Sequence, residues 1–281
     1  MKLLIEIIKF IIYSMLIVLV SKYILVVLIR KLAETLNLKP KTIGNISGIA
    51  TSVPELLSVL FASIVGLVDT SIYNIISSNI INFIQYIFAI ILNKNQKCLN
   101  NKAIKIDLIL VLITICIPLI IVIFNIDANI IFVPIFIMLF IFFFIINKNS
   151  HKLYLKEKIT EQQKMIQEEE RWLKGKKSKT LKYCILLILT SMCLFFIGNF
   201  LSNTLEKLSY IFFIPQWIIG ISLGFITSLP ELITFFEAQK HYQKKNEEEG
   251  VIEATNNLLV SNMMNLFFIQ SLGIILYTFI K

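Results

Sequence analysis

Residues 44–58 read G-N-I-S-G-I-A-T-S-V-P-E-L-L-S, and residues 220–234 read G-I-S-L-G-F-I-T-S-L-P-E-L-I-T. Gly44 matches Gly220, Gly48 matches Gly224, and Thr51, Ser52, Pro54 and Glu55 match Thr227, Ser228, Pro230 and Glu231. A second matched pair follows. Residues 74–82 read N-I-I-S-S-N-I-I-N and residues 257–265 read N-L-L-V-S-N-M-M-N, so Asn74, Ser78, Asn79 and Asn82 match Asn257, Ser261, Asn262 and Asn265. Polar residues are scarce around these stretches, yet they recur in the same order. Chance does not explain that, and the chain reads as two copies of one unit.

The surroundings of the copies set the fold class. The 281 residues are 57% hydrophobic and 16% charged, with a mean hydropathy of +0.79. Soluble domains carry far more charge, about 25%. Apolar runs near 20 residues span a bilayer as helices, whereas barrel strands are shorter and alternate. The expectation is an all-α polytopic membrane protein with about eight transmembrane helices, near 3–29, 42–67, 71–92, 107–124, 129–147, 181–203, 211–236 and 256–280. The first run is too long for a signal-peptide core and lacks a small-residue cleavage site after it. Residues 1–147 then form an N-terminal membrane half (helices 1–5, first repeat). Residues 148–180 form a basic, polar linker, and 181–281 form a C-terminal half (helices 6–8, second repeat). A smaller polar loop covers 237–255.

Lysine and arginine set the orientation, because loops on the cytoplasmic side carry the excess. With the N-terminus outside, the inner loops hold Arg30, Lys31, Lys39 and Lys41, then Lys94, Lys97, Lys102 and Lys105, then the run from Lys148 to Lys182, then Lys240, Lys244 and Lys245. The outer side holds Lys2, Lys207 and Lys281. The expected location is therefore a cell (inner) membrane, multi-pass, with the linker cytoplasmic. The first copy opens a helix running outward and the second a helix running inward. These are inverted-topology repeats, the organisation of secondary transporters that bind substrate near the midplane where the repeats meet.

Other classes recede. The net charge of +9 sits in loops and is explained by topology, so no nucleic-acid partner is indicated. Cys98, Cys116, Cys184 and Cys193 lack C-x-x-C spacing and read as small buried hydrophobes. His151 and His241 fall in polar loops. There is no glycine-rich phosphate loop, nucleophile elbow or metal-hydrolase motif, so neither an enzyme nor a resident cofactor is expected.

Glu55 and Glu231 are the acids deep in the spans, with Glu6 near the start of the first. A charged side chain at the bilayer centre costs at least about 2.5 kcal/mol. A matched pair calls for a cation or a proton, and the plain alternative is two protonated glutamates in structural hydrogen bonds. Proline removes a backbone donor, which frees carbonyls near Thr51 and Thr227. Calcium takes about six to eight hard oxygen ligands, and two carboxylates with two threonine carbonyls approach that set. Ser78 and Asn82 share a helix face, as do Ser261 and Asn265. Their neutral oxygens suit Na⁺ or the rim of a Ca²⁺ site, and interhelical hydrogen bonding is the competing role, above all for Asn79 and Asn262. The matched glycines read as helix-packing positions, and Asp69 and Glu247–Glu249 as solvated loop acids.

The matched residues resemble the α-repeats of the cation/calcium exchanger superfamily, the sodium/calcium and proton/calcium antiporters, in which T-S-x-P-E is followed by a helix with S-N-x-x-N or S-D-x-x-D. The resemblance implies that Glu55 and Glu231 share Ca²⁺ with the carbonyls of Thr51 and Thr227. It implies that Ser52, Ser228, Ser78 and Ser261 serve flanking Na⁺ sites, with Asn82 and Asn265 beside the centre. The implied activity is alternating-access exchange of Ca²⁺ for Na⁺ or H⁺ in a lipid bilayer. The sequence departs from the pattern in three ways. Both amide positions are Asn where many members have one Asp. Ala50 and Ile226 precede Thr-Ser, and Ser77 and Val260 precede Ser-Asn, where glycine is usual. Five helices are followed by three instead of five, so the last two helices of the family are expected to be absent; the chain is then a minimal transporter, one completed by a second copy or a partner subunit, or a degenerate paralogue.

Three readings therefore compete. The first is an antiporter. The second is a non-transporting protein of the same fold, an ion sensor or a partner-dependent half transporter, which the short second half and Ile226 favour. The third is a passive cation pathway, for which no pore-loop signal is present. The intact glutamates favour the first.

Overall fold

A chain with no water to bond along its spans must satisfy its backbone internally, and helices do this within one segment. The structure, a computed structural model, describes residues 2–28, 31–32, 40–124, 130–157, 177–242 and 247–280. Every regular element among them is helical. Helix α1 (Lys2–Val20) continues into a π turn at Ser21–Val26. Helices α2 (Pro40–Thr51) and α3 (Val53–Ile64) are two halves of one broken rod, followed by α4 (Val68–Leu92), α5 (Lys102–Ile123) and α6 (Phe132–Glu157). The second half begins with α7 (Lys177–Glu206) and a second broken rod, α8 (Gln216–Thr227) and α9 (Leu229–Tyr242). Helix α10 (Glu247–Met263) runs through a π turn at Met264–Ile269 into α11 (Gln270–Ile280).

Among the described residues, seven segments are long and apolar enough to cross a membrane: Lys2–Val26, Thr42–Ile64, Val68–Leu92, Lys102–Ile123, Thr180–Ile211, Gln216–His241 and Glu247–Phe279. The expected fifth span is present as a shorter apolar helix, Phe132–Asn147. Two boundaries differ from the sequence reading. The loop expected over 237–255 is mostly helix, because α9 reaches Tyr242 and α10 begins at Glu247. Glu247–Glu249 form the first turn of α10, where carboxylates are favoured by the helix dipole, and residues 250–259 are buried against neighbouring helices. At the expected linker, α6 extends to Glu157 and α7 starts at Lys177; residues 158–176 lie outside the described set.

The surface is apolar, as a bilayer requires, and the centre of the molecule is polar. Ile109, Ile123, Phe144, Ile188 and Phe196 are exposed, while Thr51, Glu55, Asn79 and Glu231 have no exposure. The cysteines share the outer surface and are not buried as expected: Cys116, Cys184 and Cys193 are exposed and Cys98 is half-buried. Cys116, Cys184 and Cys193 lie on apolar helix faces that lipid would cover, and Cys98 in the connection between α4 and α5. Two apolar clusters flank the centre. One gathers Tyr86, Val111, Phe143, Phe235 and Phe267, and the other Ile17, Phe61, Leu194, Leu201 and Leu223. Glu6, near the start of the first span, is held by Lys9 Nζ at 2.9 Å and by Lys207 Nζ at 3.6 Å, which ties α1 to the end of α7.

The two copies pack reciprocally. Helix α2 lies against α10, and α8 against α4. The repeated glycines are what permits this approach. A Cβ at Gly48 would stand 2.7 Å from the Asn257 carbonyl oxygen, and one at Gly224 would stand 2.7 Å from the Asn74 carbonyl oxygen. Gly44 faces the Glu253 carbonyl, and Gly220 faces that of Thr70. Each contact pairs matched residues of opposite copies, so the inverted symmetry read from the sequence is the symmetry of the packing. Gly48→Ala and Gly224→Ala are each expected to destabilise the protein by about 1–3 kcal/mol, read as a lowered melting temperature in detergent.

Candidate functional site

Both broken rods break at the serine of T-S-x-P-E. Ser52 has φ −79°, ψ 0° and Ser228 has φ −79°, ψ −2°. Each proline follows two residues later, in the first turn of the next helix, where a missing N–H costs least. An unbroken helix would have paired the nitrogens of Pro54 and Pro230 with the carbonyls of Ala50 and Ile226. The freed carbonyls therefore fall one residue before Thr51 and Thr227. Glu55 and Glu231 lie in the first turns of α3 and α9, at the helix ends whose dipole favours negative charge. Ile226 packs with the apolar cluster around Leu57 and Leu223.

The structure brings every candidate residue from both copies inside. Thr51, Ser52, Glu55, Ser78, Asn82, Thr227, Ser228, Glu231, Ser261 and Asn265 are all at most 1% exposed. The two carboxylates are close enough to interact electrostatically, with Thr227 and Ser78 beside Glu55 and Thr51 and Ser261 beside Glu231.

A hydrogen-bonded frame repeats across the pseudo-two-fold axis. Asn74 Nδ2 donates to Ser58 Oγ at 2.6 Å, and Asn257 Nδ2 to Thr234 Oγ1 at 2.5 Å. Those hydroxyls donate to the Glu55 and Glu231 carbonyls at 2.9 and 2.8 Å. Asn79 Nδ2 donates to the Asn262 carbonyl at 3.3 Å, and Asn262 Nδ2 to the Asn79 carbonyl at 3.2 Å. Asn82 Nδ2 donates to Asn262 Oδ1 at 3.3 Å, and Asn265 Nδ2 to Asn79 Oδ1 at 3.2 Å. Asn79 and Asn262 are thus the crossing point of α4 and α10, the interhelical role that the sequence left open.

The serines break the symmetry. Ser52 Oγ lies 2.9 Å from the Gly48 carbonyl and 3.0 Å from Ser261 Oγ, and Ser261 Oγ donates to Glu231 Oε1 at 3.0 Å. In the other copy Ser78 Oγ reaches Asn74 Oδ1 and the Gly224 carbonyl, both at 3.4 Å. Asn265 sits in the π turn Met264–Ile269, whereas Asn82 lies in regular helix. Such single π turns inside α-helices concentrate at functional sites.

Six buried oxygens here take part in no hydrogen bond: Glu55 Oε1 and Oε2, Glu231 Oε2, Asn82 Oδ1, Asn265 Oδ1 and Ser228 Oγ. Buried polar atoms are ordinarily satisfied. The amide nitrogens are tied into the frame while the oxygens are left over, and all six leftover atoms are hard-cation ligands. Among the described residues no third His, Cys, Asp or Glu joins the glutamates.

Sequence reading missed several supporting groups. Ser58 and Thr234 close the quoted repeats, where nothing in the pattern sets them apart from other small polar residues. Asp107, at the edge of an expected span, is only 3% exposed. Asn147 Nδ2 lies 3.4 Å from Asp107 Oδ1 and 3.1 Å from Asn256 Oδ1, linking α5, α6 and α10. It has no counterpart in the other copy, so the repeat could not reveal it. Asp69 is exposed, as expected, and its backbone N–H donates to Gln216 Oε1 at 3.2 Å. Glu248 accepts from Asn101 Nδ2 at 2.6 Å. Asn79→Ala and Asn262→Ala are expected to destabilise equally, by about 0.6–2 kcal/mol, in thermal denaturation in detergent; clearly unequal losses would contradict the reciprocal frame.

Comparison with known proteins agrees with this geometry. A family model described as sodium/calcium exchanger protein matches residues 7–148 and 182–281, and a model for a domain of unknown function matches 128–230. No curated protein matches the chain. Two solved structures of the sodium-calcium exchanger NCX_Mj share its fold. One, soaked with 10 mM Na⁺ and zero Ca²⁺, is 20% identical with a TM-score of 0.53, covering 98% of this chain and 83% of that one. The other, soaked with 2.5 mM Na⁺ and 10 mM Sr²⁺, is 21% identical with a TM-score of 0.50 over the same shares. Matched over both of its membrane halves, the chain belongs to the sodium/calcium exchanger protein family.

Proposed function

We propose that the protein is a secondary-active antiporter that exchanges Ca²⁺ for Na⁺ or H⁺ by alternating access, in a cell membrane with its N-terminus outside. The observation that carries this reading is the set of unsatisfied oxygens around two buried carboxylates at the crossing of the repeats. Glu55 and Glu231 would hold Ca²⁺ with backbone carbonyls at the two helix breaks, Thr51 and Thr227 included. Ser52, Ser78, Ser228, Ser261, Asn82 and Asn265 would supply neutral oxygens to it or to Na⁺. One divalent ion, or monovalent ions in its place, neutralises the pair, and loading both together is repulsive. That exclusion is what couples the two fluxes. Two rods broken at matched positions, packed on opposite copies, give the site two inverted sets of walls, as rocking or gating of one repeat against the other requires.

The test is ⁴⁵Ca²⁺ uptake into proteoliposomes with an outward Na⁺ gradient, an outward H⁺ gradient or none. Gradient-driven uptake is expected, and Glu55→Gln and Glu231→Gln are each expected to reduce it at least about tenfold, since each removes half the fixed charge facing a divalent ion. Folded protein that takes up no Ca²⁺ under any gradient would overturn the reading in favour of a non-transporting relative.

A further inference from the structure

We propose that Glu253 is a docking carboxylate for Ca²⁺ on one of the two approaches to the site, a group that the other approach lacks. This rests on the antiporter reading above and adds that the two faces load the site unequally. Thr70, Asn74 and Ser78 recur every four residues along α4, and Glu253, Asn257 and Ser261 are their matches along α10. Residues four apart share a helix face, so each helix carries a stripe of oxygen-bearing side chains, one step per about 6 Å of rise. None of the six is more than 4% exposed. The α10 stripe ends at the site, where Ser261 Oγ donates to Glu231 Oε1 at 3.0 Å. The α4 stripe ends at Ser78, beside Glu55. Because the copies are inverted, the stripes start at opposite faces. Thr70 lies at the face where α3 ends, and Glu253 at the face where α6 ends and α7 begins, the linker face. Gly220 packs on the Thr70 carbonyl and Gly44 on that of Glu253, so the two starting residues hold equivalent places.

Ca²⁺ takes hard oxygen ligands, and each stripe offers one at every turn. The stripes differ in charge at their first step: a hydroxyl bonded to the Gln216 carbonyl at 3.2 Å on one, a carboxylate on the other. The linker face is where that charge matters. Lys94, Lys97, Lys102 and Lys105 lie around the α4–α5 connection, and Lys240, Lys244 and Lys245 at the end of α9 and beyond. Fixed cations within a Debye length, roughly 10 Å, repel an approaching Ca²⁺. A carboxylate inside the approach is screened by salt less than surface charges are, and a cleft carrying one sign of charge concentrates the opposite ion. The other face holds Lys2, Lys207 and Lys281, of which Lys207 is tied to Glu6. Asp69, beside Thr70, is exposed, where salt screens it, and its match is the apolar Ile252. Both stripes are buried in this structure, and displacement of one repeat against the other opens each to its own face in turn. An ion arriving from the linker face then pauses at Glu253, while one arriving from the other face meets no buried charge before Glu55.

The experiment measures half-saturating Ca²⁺ for gradient-driven ⁴⁵Ca²⁺ uptake in right-side-out and inside-out vesicles, so that each face is presented in turn. Glu253→Thr copies Thr70, and Glu253→Gln removes the charge at unchanged size. Each is expected to raise the constant at the linker face about tenfold and to leave the other face within about twofold. Glu253→Asp keeps the charge and is expected to stay within about threefold of wild type at the linker face. Equal changes at both faces, or no change at either face in a folded, transporting variant, would overturn the proposal and leave the antiporter reading standing. So would an Asp variant as impaired as the Gln variant. Loss of folding in both the Thr and the Gln variants, read by melting in detergent, would assign Glu253 to packing and likewise count against it. Wild-type protein that takes up no Ca²⁺ from either face under any gradient would overturn the antiporter reading and the proposal with it.

Discussion

Two carboxylates kept wholly out of solvent, with no basic partner among the described residues, form the constraint on which the rest of the structure depends. An ionised glutamate in a low-dielectric interior is tolerated only when something answers its charge. Around Glu55 and Glu231 the protein supplies hydroxyls and helix N-termini in place of a lysine or an arginine, and leaves amide oxygens free beside them. Such surroundings lower the cost of the charge without cancelling it, and on the proposed function a mobile cation would enter to cancel it and leave again.

Each neighbouring feature serves that arrangement. Pro54 and Pro230 break the rods so that a helix begins two residues before each glutamate. Gly48 and Gly224 let the rods lie against the backbones of α10 and α4, which carry the serines and asparagines to the same place. Asn79 and Asn262 lock that crossing by exchanging donor and acceptor. The frame is nearly two-fold symmetric, while the serine contacts and the π turn at Asn265 are not.

Much of this was legible in the sequence because the repeat placed the same polar residues twice in otherwise apolar spans. The ten candidate positions, the packing role of the glycines and the inverted arrangement could be read that way. Features present in one copy could not. Asp107 looked like the edge of a span, and the early start of α10 was hidden because Glu247–Glu249 read as loop. Whether Asn79 and Asn262 bind ions or bind each other depended on which atom of each amide faces which, and composition does not record that. The cysteines were misplaced because burial in the protein and burial in lipid look alike in a hydropathy pattern.

The most direct test of the central claim is anomalous diffraction from crystals soaked with Ca²⁺ or Sr²⁺, beside crystals of Glu55→Gln. The account predicts a peak between the Glu55 and Glu231 carboxylates, within about 2.3–2.6 Å of their oxygens, that disappears in the variant. Crystals in which the cation lies elsewhere, while the two glutamates bond to each other, would contradict it.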